Sequence, residues 1–205
     1  MAKDAHIPPG RVLIVGLGNP GPRYAETRHN IGVKVLECLA RRASIPLSEQ
    51  RFKALCGSGT IAGRQAVLLF PQTFMNVSGE SVQPAAAFYK LGPESIVVVH
   101  DEIDLPPGGL RLKQGGGHAG HNGLRSIDQH LPSNQYFRVR AGVGRPPVPG
   151  GEVSSWVLGG FSAPERPVIE ELVERCADAV ETLMRDGLLA AQQRFHPVEK
   201  PTRGT

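Results

Sequence analysis

Two unbroken apolar runs, Val12-Leu13-Ile14-Val15 and Ile96-Val97-Val98-Val99, constrain this chain more than any other feature. A strand with one wet face alternates polar and apolar residues, so a run without alternation must be covered on both faces. That demands layers above and below a sheet, and the segments between strands supply helical patterns to make them. From about Gly32 to Arg42, Val33, Leu36 and Leu39 fall on one face. From about Glu165 to Asp186, Ile169, Leu172, Val173, Cys176, Val180, Leu183 and Met184 keep helical spacing, and Gly187 ends the pattern. Strands alternating with helices predict the α/β class: a single three-layer α/β/α domain whose mixed twisted sheet is flanked by helices.

The mixed character comes from hairpins. Phe52 to Thr60 and Gln65 to Phe70 read as strands joined by a turn at Ala62-Gly63-Arg64. Thr73-Phe74-Met75-Asn76 leads into a helix that Gly92 stops, with Pro84 predicting a kink or a late start. Leu110 to Lys113 and Tyr136 to Val143 are further strands, and a helix from about Leu124 to Leu131 lies between them. The loop from Gly144 to Gly151, rich in proline and glycine, reads as mobile. The domain is expected over residues 11–196, with flexible termini at 1–10 and 197–205.

Bulk composition narrows the function classes. No apolar stretch of the 205 residues approaches the ~20 that a membrane span needs. Residues 1–10 lack the apolar core of a signal peptide. Cys38, Cys56 and Cys176 are few, odd in number and widely spaced, which predicts a reducing cytoplasm and no zinc knuckle or redox motif. A net charge of +4 permits a nucleic-acid partner without demanding one.

The first apolar run empties into Gly16-Leu17-Gly18-Asn19-Pro20-Gly21-Pro22-Arg23-Tyr24-Ala25-Glu26-Thr27-Arg28-His29-Asn30, a loop where an α/β fold binds ligands. Its spacing matches Gly-x-Gly-x-x-Gly, but a dinucleotide site needs a helix to start inside the motif and present free N–H groups. Pro20 and Pro22 remove two such donors, and no acidic residue ends a second strand about 20 positions on. The glycines then serve sharp turns and close approach to a ligand. A serine hydrolase is disfavoured because Gly-x-Ser-x-Gly is absent. A metal site at His118 and His121, or around His100-Asp101-Glu102 and Asp104, lacks a helix to fix ligand spacing, so no metal or cofactor is expected.

What remains is a constellation: Asn19 and His29, Asn76, Asp101, and His121-Asn122, each just past a predicted strand or beside a helix start. His29 has an ordinary pKa suited to a general base, and Asp101 could orient its imidazole as the aspartate of a catalytic triad does. Without a nucleophile, the base would activate water, and asparagine amides could serve a developing oxyanion. The plain alternatives are that the asparagines cap turns and that Phe74 and Met75 are core. Arg111 and Lys113 on one strand, and Arg138 and Arg140 on another, are each spaced by two. If those strands are neighbours, the four charges form one cationic patch next to the glycine loop; the plain alternative is a solvated edge that blocks aggregation.

These motifs, in this order over residues 11 to about 196, resemble bacterial-type peptidyl-tRNA hydrolase. The likeness rests on Gly16 to Gly21, Thr27-Arg28-His29-Asn30, Thr73-Phe74-Met75-Asn76, His100-Asp101-Glu102, Asp104-Leu105-Pro106-Pro107-Gly108 and Gly115 to Gly123. The resemblance implies a cytoplasmic enzyme, monomeric and free of cofactors, that hydrolyses the ester of peptidyl-tRNA and so recycles tRNA. It implies His29 as general base with Asp101 in support, and Asn19 as the group that distinguishes blocked from free aminoacyl ends. Asn76 and Asn122 would bind substrate, with His121 beside them. Tyr24, Phe74 and Met75 would line the cleft near the CCA end. Lys113 and Arg140 would hold the 5′ phosphate next to the acceptor stem. Pro84, the leader and the proline-rich loop are less typical of the family. The rivals are an RNA-binding protein on the same fold with little catalysis, and a generic esterase.

Overall fold

The computed structural model describes residues 4–196. Seven strands form one sheet in the order β2-β3-β4-β1-β5-β7-β6. These are β1 (Val12–Gly16), β2 (Glu49–Arg51), β3 (Ala54–Ile61), β4 (Arg64–Pro71), β5 (Ile96–Glu102), β6 (Leu110–Gln114) and β7 (Phe137–Gly142). The four inner strands β4, β1, β5 and β7 run parallel, and antiparallel pairings add β3, β2 and β6 outside them. Both apolar runs sit at the centre as expected, and every residue of β1 and β5 is buried.

Helices cover both faces. On one, α1 (Ile31–Arg42), α5 (Arg166–Asp186) and α6 (Leu188–Phe195) bury a core that includes Ile14, Leu36, Val97, Val99, Leu172 and Val180. On the other, α2 (Gly79–Tyr89) and α3 (Asn122–His130) close over Leu13, Val15, Val82, Val98, Ile127 and Tyr136. A one-turn helix, α4 (Val153–Val157), follows β7. Among the described residues, the three cysteines are buried and unpaired, and no helix is long and apolar enough to cross a membrane.

Several elements differ from expectation, each for a local reason. The predicted strand from Phe52 to Thr60 begins at Ala54, because Phe52 and Lys53 form a tight turn with φ of 55° and 53°. Neither residue advertises a left-handed conformation. The turn at Ala62-Gly63 does so, with φ of 49° and 75°. Helix α2 starts late, at Gly79, after a separate 3₁₀ turn over Met75–Val77. It stops at a left-handed Lys90 rather than at Gly92. Helices α4 and α6 were not foreseen, being short and polar in part. The expected flexible leader packs from residue 4 onward. Ile7 joins the core, the Ala5 carbonyl accepts from Leu188 N–H at 2.9 Å, and Arg64 binds the carbonyls of Ile7, Pro8 and Gly10. Residues 1–3 and the 197–205 tail lie outside the described residues.

Gly16 and Gly18 of the first loop approach a helix, while Gly21, with φ of 100°, serves a turn in open space. A Cβ on Gly16 would lie 2.5 Å from the Gly32 carbonyl oxygen, and one on Gly18 would meet Val33 and Asn30. A Cβ on Gly32 would collide with the Val99 carbonyl and the Leu17 backbone. Bare backbone on both sides lets the N-terminus of α1 rest directly on β1 and β5. Gly32→Ala is therefore expected to cost about 1–3 kcal/mol through overpacking, read as a lowered denaturation midpoint with unchanged denaturant slope.

Candidate active site

The α1 contact brings His29, in the 3₁₀ turn Arg28–Asn30 just before the helix, over the carboxyl end of β5. There Asp101, 3% exposed, faces two neighbouring imidazoles whose ring centres are 5.0 Å apart. One of its oxygens, Oδ1, lies 2.8 Å from His29 Nδ1 and 2.9 Å from His121 Nε2. Burial alone would favour the neutral acid. The two facing imidazoles and their hydrogen bonds outweigh it and hold Asp101 well below the usual carboxylate range. For His29, burial opposes the imidazolium, but attraction and hydrogen bonding to Asp101 prevail and raise its pKa above the ordinary value.

Tautomers follow from partners. His121 is the N-cap of α3, where its Nδ1 accepts from the N–H groups of Gly123 (3.1 Å) and Leu124 (3.3 Å). Its Nε2 therefore carries the hydrogen given to Asp101. Protonating His121 would break both cap bonds and set a positive charge at a helix N-terminus. His29 gives its Nδ1 hydrogen to Asp101, and its Nε2 has no protein partner among the described residues. Of the two rings, only His29 offers a basic nitrogen to the cleft. The three ligand atoms lie within 4.8 Å of one another, close enough for a metal. The two contacts onto one oxygen, however, are hydrogen bonds that need protons where a metal needs lone pairs. His100 makes no contact with that carboxylate group. It gives its Nδ1 hydrogen to the Asp101 carbonyl, and burial, then the neighbouring His121, push its pKa well down.

A cleft of about 760 Å³ gathers nine of the eleven sequence-predicted residues: Asn19, Tyr24, His29, Phe74, Met75, Asn76, Asp101, His121 and Asn122. Most of its walls rise from the carboxyl ends of the parallel strands. The His118–Asn122 wall instead climbs back from β6, whose end lies at the opposite edge of the sheet. Asn19 is fixed tightly. Asn30 bonds both its N–H and its C=O at 2.9 Å, and its Oδ1 accepts from Met75 N–H at 2.8 Å. The Oδ1 is thus committed and the Nδ2 donor is left for the cleft. Met75 is buried against Gly123, whereas Phe74 is exposed and meets Tyr24 edge-on.

Lys113 and Arg140 stand outside the cleft, on neighbouring strands as the cationic-patch reading required. Arg140 reaches Glu102, a cleft residue, at 3.0 Å. Arg138 departs from that reading. It is 1% exposed and binds loop carbonyls rather than solvent.

Sequence reasoning missed Asn30 as the holder of Asn19, although it stands in the quoted Thr27–Asn30 motif. It also missed the wall formed by Val153, Ser154, Val157 and Leu158, and its anchor. That anchor is Arg28, which pairs with Glu165 at 2.9 Å and lies 3.7 Å from the Trp156 ring centre. An arginine beside a histidine carries no signal of a partner over 130 positions away.

The chain matches the family described as peptidyl-tRNA hydrolase over residues 13–203. It is 49% identical over 189 residues to a peptidyl-tRNA hydrolase of Renibacterium salmoninarum, covering 91% of this chain and 97% of that one. It is 50% identical over 176 residues to one from Geotalea daltonii, covering 86% and 91%. The crystal structure of peptidyl-tRNA hydrolase from Acinetobacter baumannii superposes with a TM-score of 0.84 at 41% identity, over 91% of this chain and 96% of that one.

NMR titration of the ring protons tests the pairing of His29 with Asp101. His29 is expected to titrate above the ordinary imidazole value of 6.5. In Asp101→Asn the attraction that raises His29 is gone while its burial remains, so its midpoint is expected to fall below the wild-type value. An unmoved midpoint refutes the assignment.

Proposed function

The chain belongs to the peptidyl-tRNA hydrolase family, and on that premise we propose how its cleft cleaves peptidyl-tRNA. The reaction breaks the ester between a peptide's C-terminal carbonyl and the terminal ribose of tRNA, freeing both. The observation that carries the residue roles is the double acceptance at Asp101 Oδ1, which leaves His29 Nε2 as the basic nitrogen facing the cleft.

His29 Nε2 takes a proton from water, and the resulting hydroxide oxygen bonds to the ester carbonyl carbon. Asp101 stabilises the imidazolium through the Nδ1 hydrogen bond and through charge. The tetrahedral oxyanion accepts hydrogen bonds from the side-chain amides of Asn122 and Asn76, both exposed in the cleft. Collapse breaks the bond to the ribose oxygen, which receives the proton from His29. The products are a peptide carboxylate and a tRNA with its terminal hydroxyl restored. His121 acts as a positioning group for Asp101 and touches substrate only at the rim.

Asn19 supplies the gate. Its free Nδ2 is a donor, so it matches the carbonyl next to a blocked nitrogen. A free aminoacyl end presents an ammonium there, whose donors face the Nδ2 donor unfavourably. Tyr24 and Phe74 give the terminal adenosine of the CCA end an aromatic surface, and Met75 backs it. Lys113 and Arg140 hold the 5′ phosphate beside the acceptor stem, with no reading of sequence. One chain supplies every wall of the cleft, which suits action as a monomer.

Hydrolysis of N-acetyl-aminoacyl-tRNA beside the unblocked form tests this reading. The blocked substrate is expected to be cleaved far faster, and His29→Ala to lower kcat by about 10²–10⁴. Equal cleavage of both, or full activity in the variant, would sink the mechanism. Arg140→Ala is expected to weaken tRNA binding and to reduce the slope of log K against log salt by about 0.7–0.9. A slope equal to wild type means that Arg140 serves only Glu102.

A further inference from the structure

The charge that departs from the expected patch leads to one more assignment. Arg138 is an arginine with almost no solvent contact, on the α3 face of β7. Its two terminal nitrogens donate to consecutive carbonyls of the glycine loop, Gly117 at 2.7 Å and Gly116 at 2.6 Å. Asp128 lies 3.7 Å away, and the Tyr136 ring centre is 4.7 Å from the guanidinium carbon. Asn134 adds a weaker bond to the Gly116 carbonyl.

In a trans peptide, C=O and N–H point in opposite directions. The Gly116 carbonyl shares its plane with the N–H of Gly117, and the Gly117 carbonyl with the N–H of His118. Drawing both carbonyls inward onto a buried guanidinium therefore turns both N–H groups outward. Neither has a protein acceptor among the described residues. Gly116 and Gly117 are exposed, and a Cβ at Gly117 would meet nothing within 4 Å. Only glycine readily takes the φ of 65° and 88° found at Gly115 and Gly116. Successive outward N–H groups of this kind bind anions.

Lys113 is close by. Its Nζ lies 3.0 Å from where a Gly116 Cβ would be. Burial, then repulsion from Arg138 and Arg140, lowers its pKa, so an anion there would relieve a crowded cationic edge.

We infer that Arg138 is a positioning residue of the phosphate site: it turns the Gly115–His118 loop so that the amides of Gly117 and His118 join Lys113 in binding the 5′ phosphate of the substrate. This inference rests on the proposed phosphate role of Lys113 and adds ligands to it. Arg138 itself never touches the phosphate. It is the inward half of a clamp whose outward half is main chain.

The test is the ratio of kcat/KM for peptidyl-tRNA with its 5′ phosphate to kcat/KM for the same substrate after phosphatase treatment. Lys113→Ala, Arg138→Met and Gly117→Pro are compared with wild type. Gly117→Pro deletes one amide hydrogen in open space and leaves the buried guanidinium alone, so it decides the matter if Arg138→Met fails to fold. The expected result is a ratio lowered about five- to tenfold in both loop variants, the loss of one charge-assisted hydrogen bond or more. A mere loss of folded enzyme scales both substrates equally and leaves the ratio alone. A wild-type ratio in Gly117→Pro, with a collapsed ratio in Lys113→Ala, overturns the loop assignment. A wild-type ratio in Lys113→Ala overturns the phosphate reading beneath it.

Discussion

A single carboxylate oxygen that accepts two imidazole hydrogens is the contact on which the rest of this site depends. Asp101 is buried, so its charge is costly unless it is hydrogen-bonded, and two imidazole N–H donors converging on one oxygen provide that. Each donor reports a different constraint. His121 is tied to a helix start, which fixes which nitrogen it offers. His29 is tied only at Nδ1 and keeps Nε2 for chemistry. Two histidines at one carboxylate are thus made unequal by what lies behind them, one held at both ring nitrogens and the other at Nδ1 alone.

That contact exists only because helix α1 comes unusually close to the sheet. Gly16, Gly18 and Gly32 remove the side chains that would hold it away, and the 3₁₀ turn before the helix then places His29 above Asp101. The same glycines at first suggest a nucleotide loop. Their role is steric and internal: bare backbone against bare backbone, with the ligand in the space the turn leaves open. Asn30 uses the turn's last position to fasten Asn19, so the proposed base and the proposed gate are set by adjacent residues of one segment.

The layered fold was legible because unbroken apolar strands admit few other arrangements, and His29, Asp101 and the three asparagines were legible because loops after such strands carry chemistry. What stayed hidden depended on distance along the chain. Nothing local in Arg28 announces Glu165 and Trp156, and nothing in Phe52-Lys53 announces a turn at positive φ. The leader read as loose because its prolines and charges are loop-like, yet one isoleucine and a few carbonyls suffice to dock it. The cap role of His121 was hidden for another reason: histidine is not among the usual N-cap residues, so only its two amide partners reveal the tautomer.

The four basic residues on β6 and β7 illustrate how strand period can be right and function still divide. All four fall on one face as their spacing required, since Arg111 pairs with Arg140 and Lys113 with Arg138. The glycine loop climbing back toward the cleft crosses that face and covers one of them. A covered guanidinium cannot attract a nucleic acid directly, but it must be satisfied, and the nearest acceptors are loop carbonyls. Satisfying it fixes the direction of the two peptide planes that follow Gly116 and Gly117. The positive charge buried below is answered by N–H groups above, so a residue lost to the surface patch still makes that surface attractive to an anion.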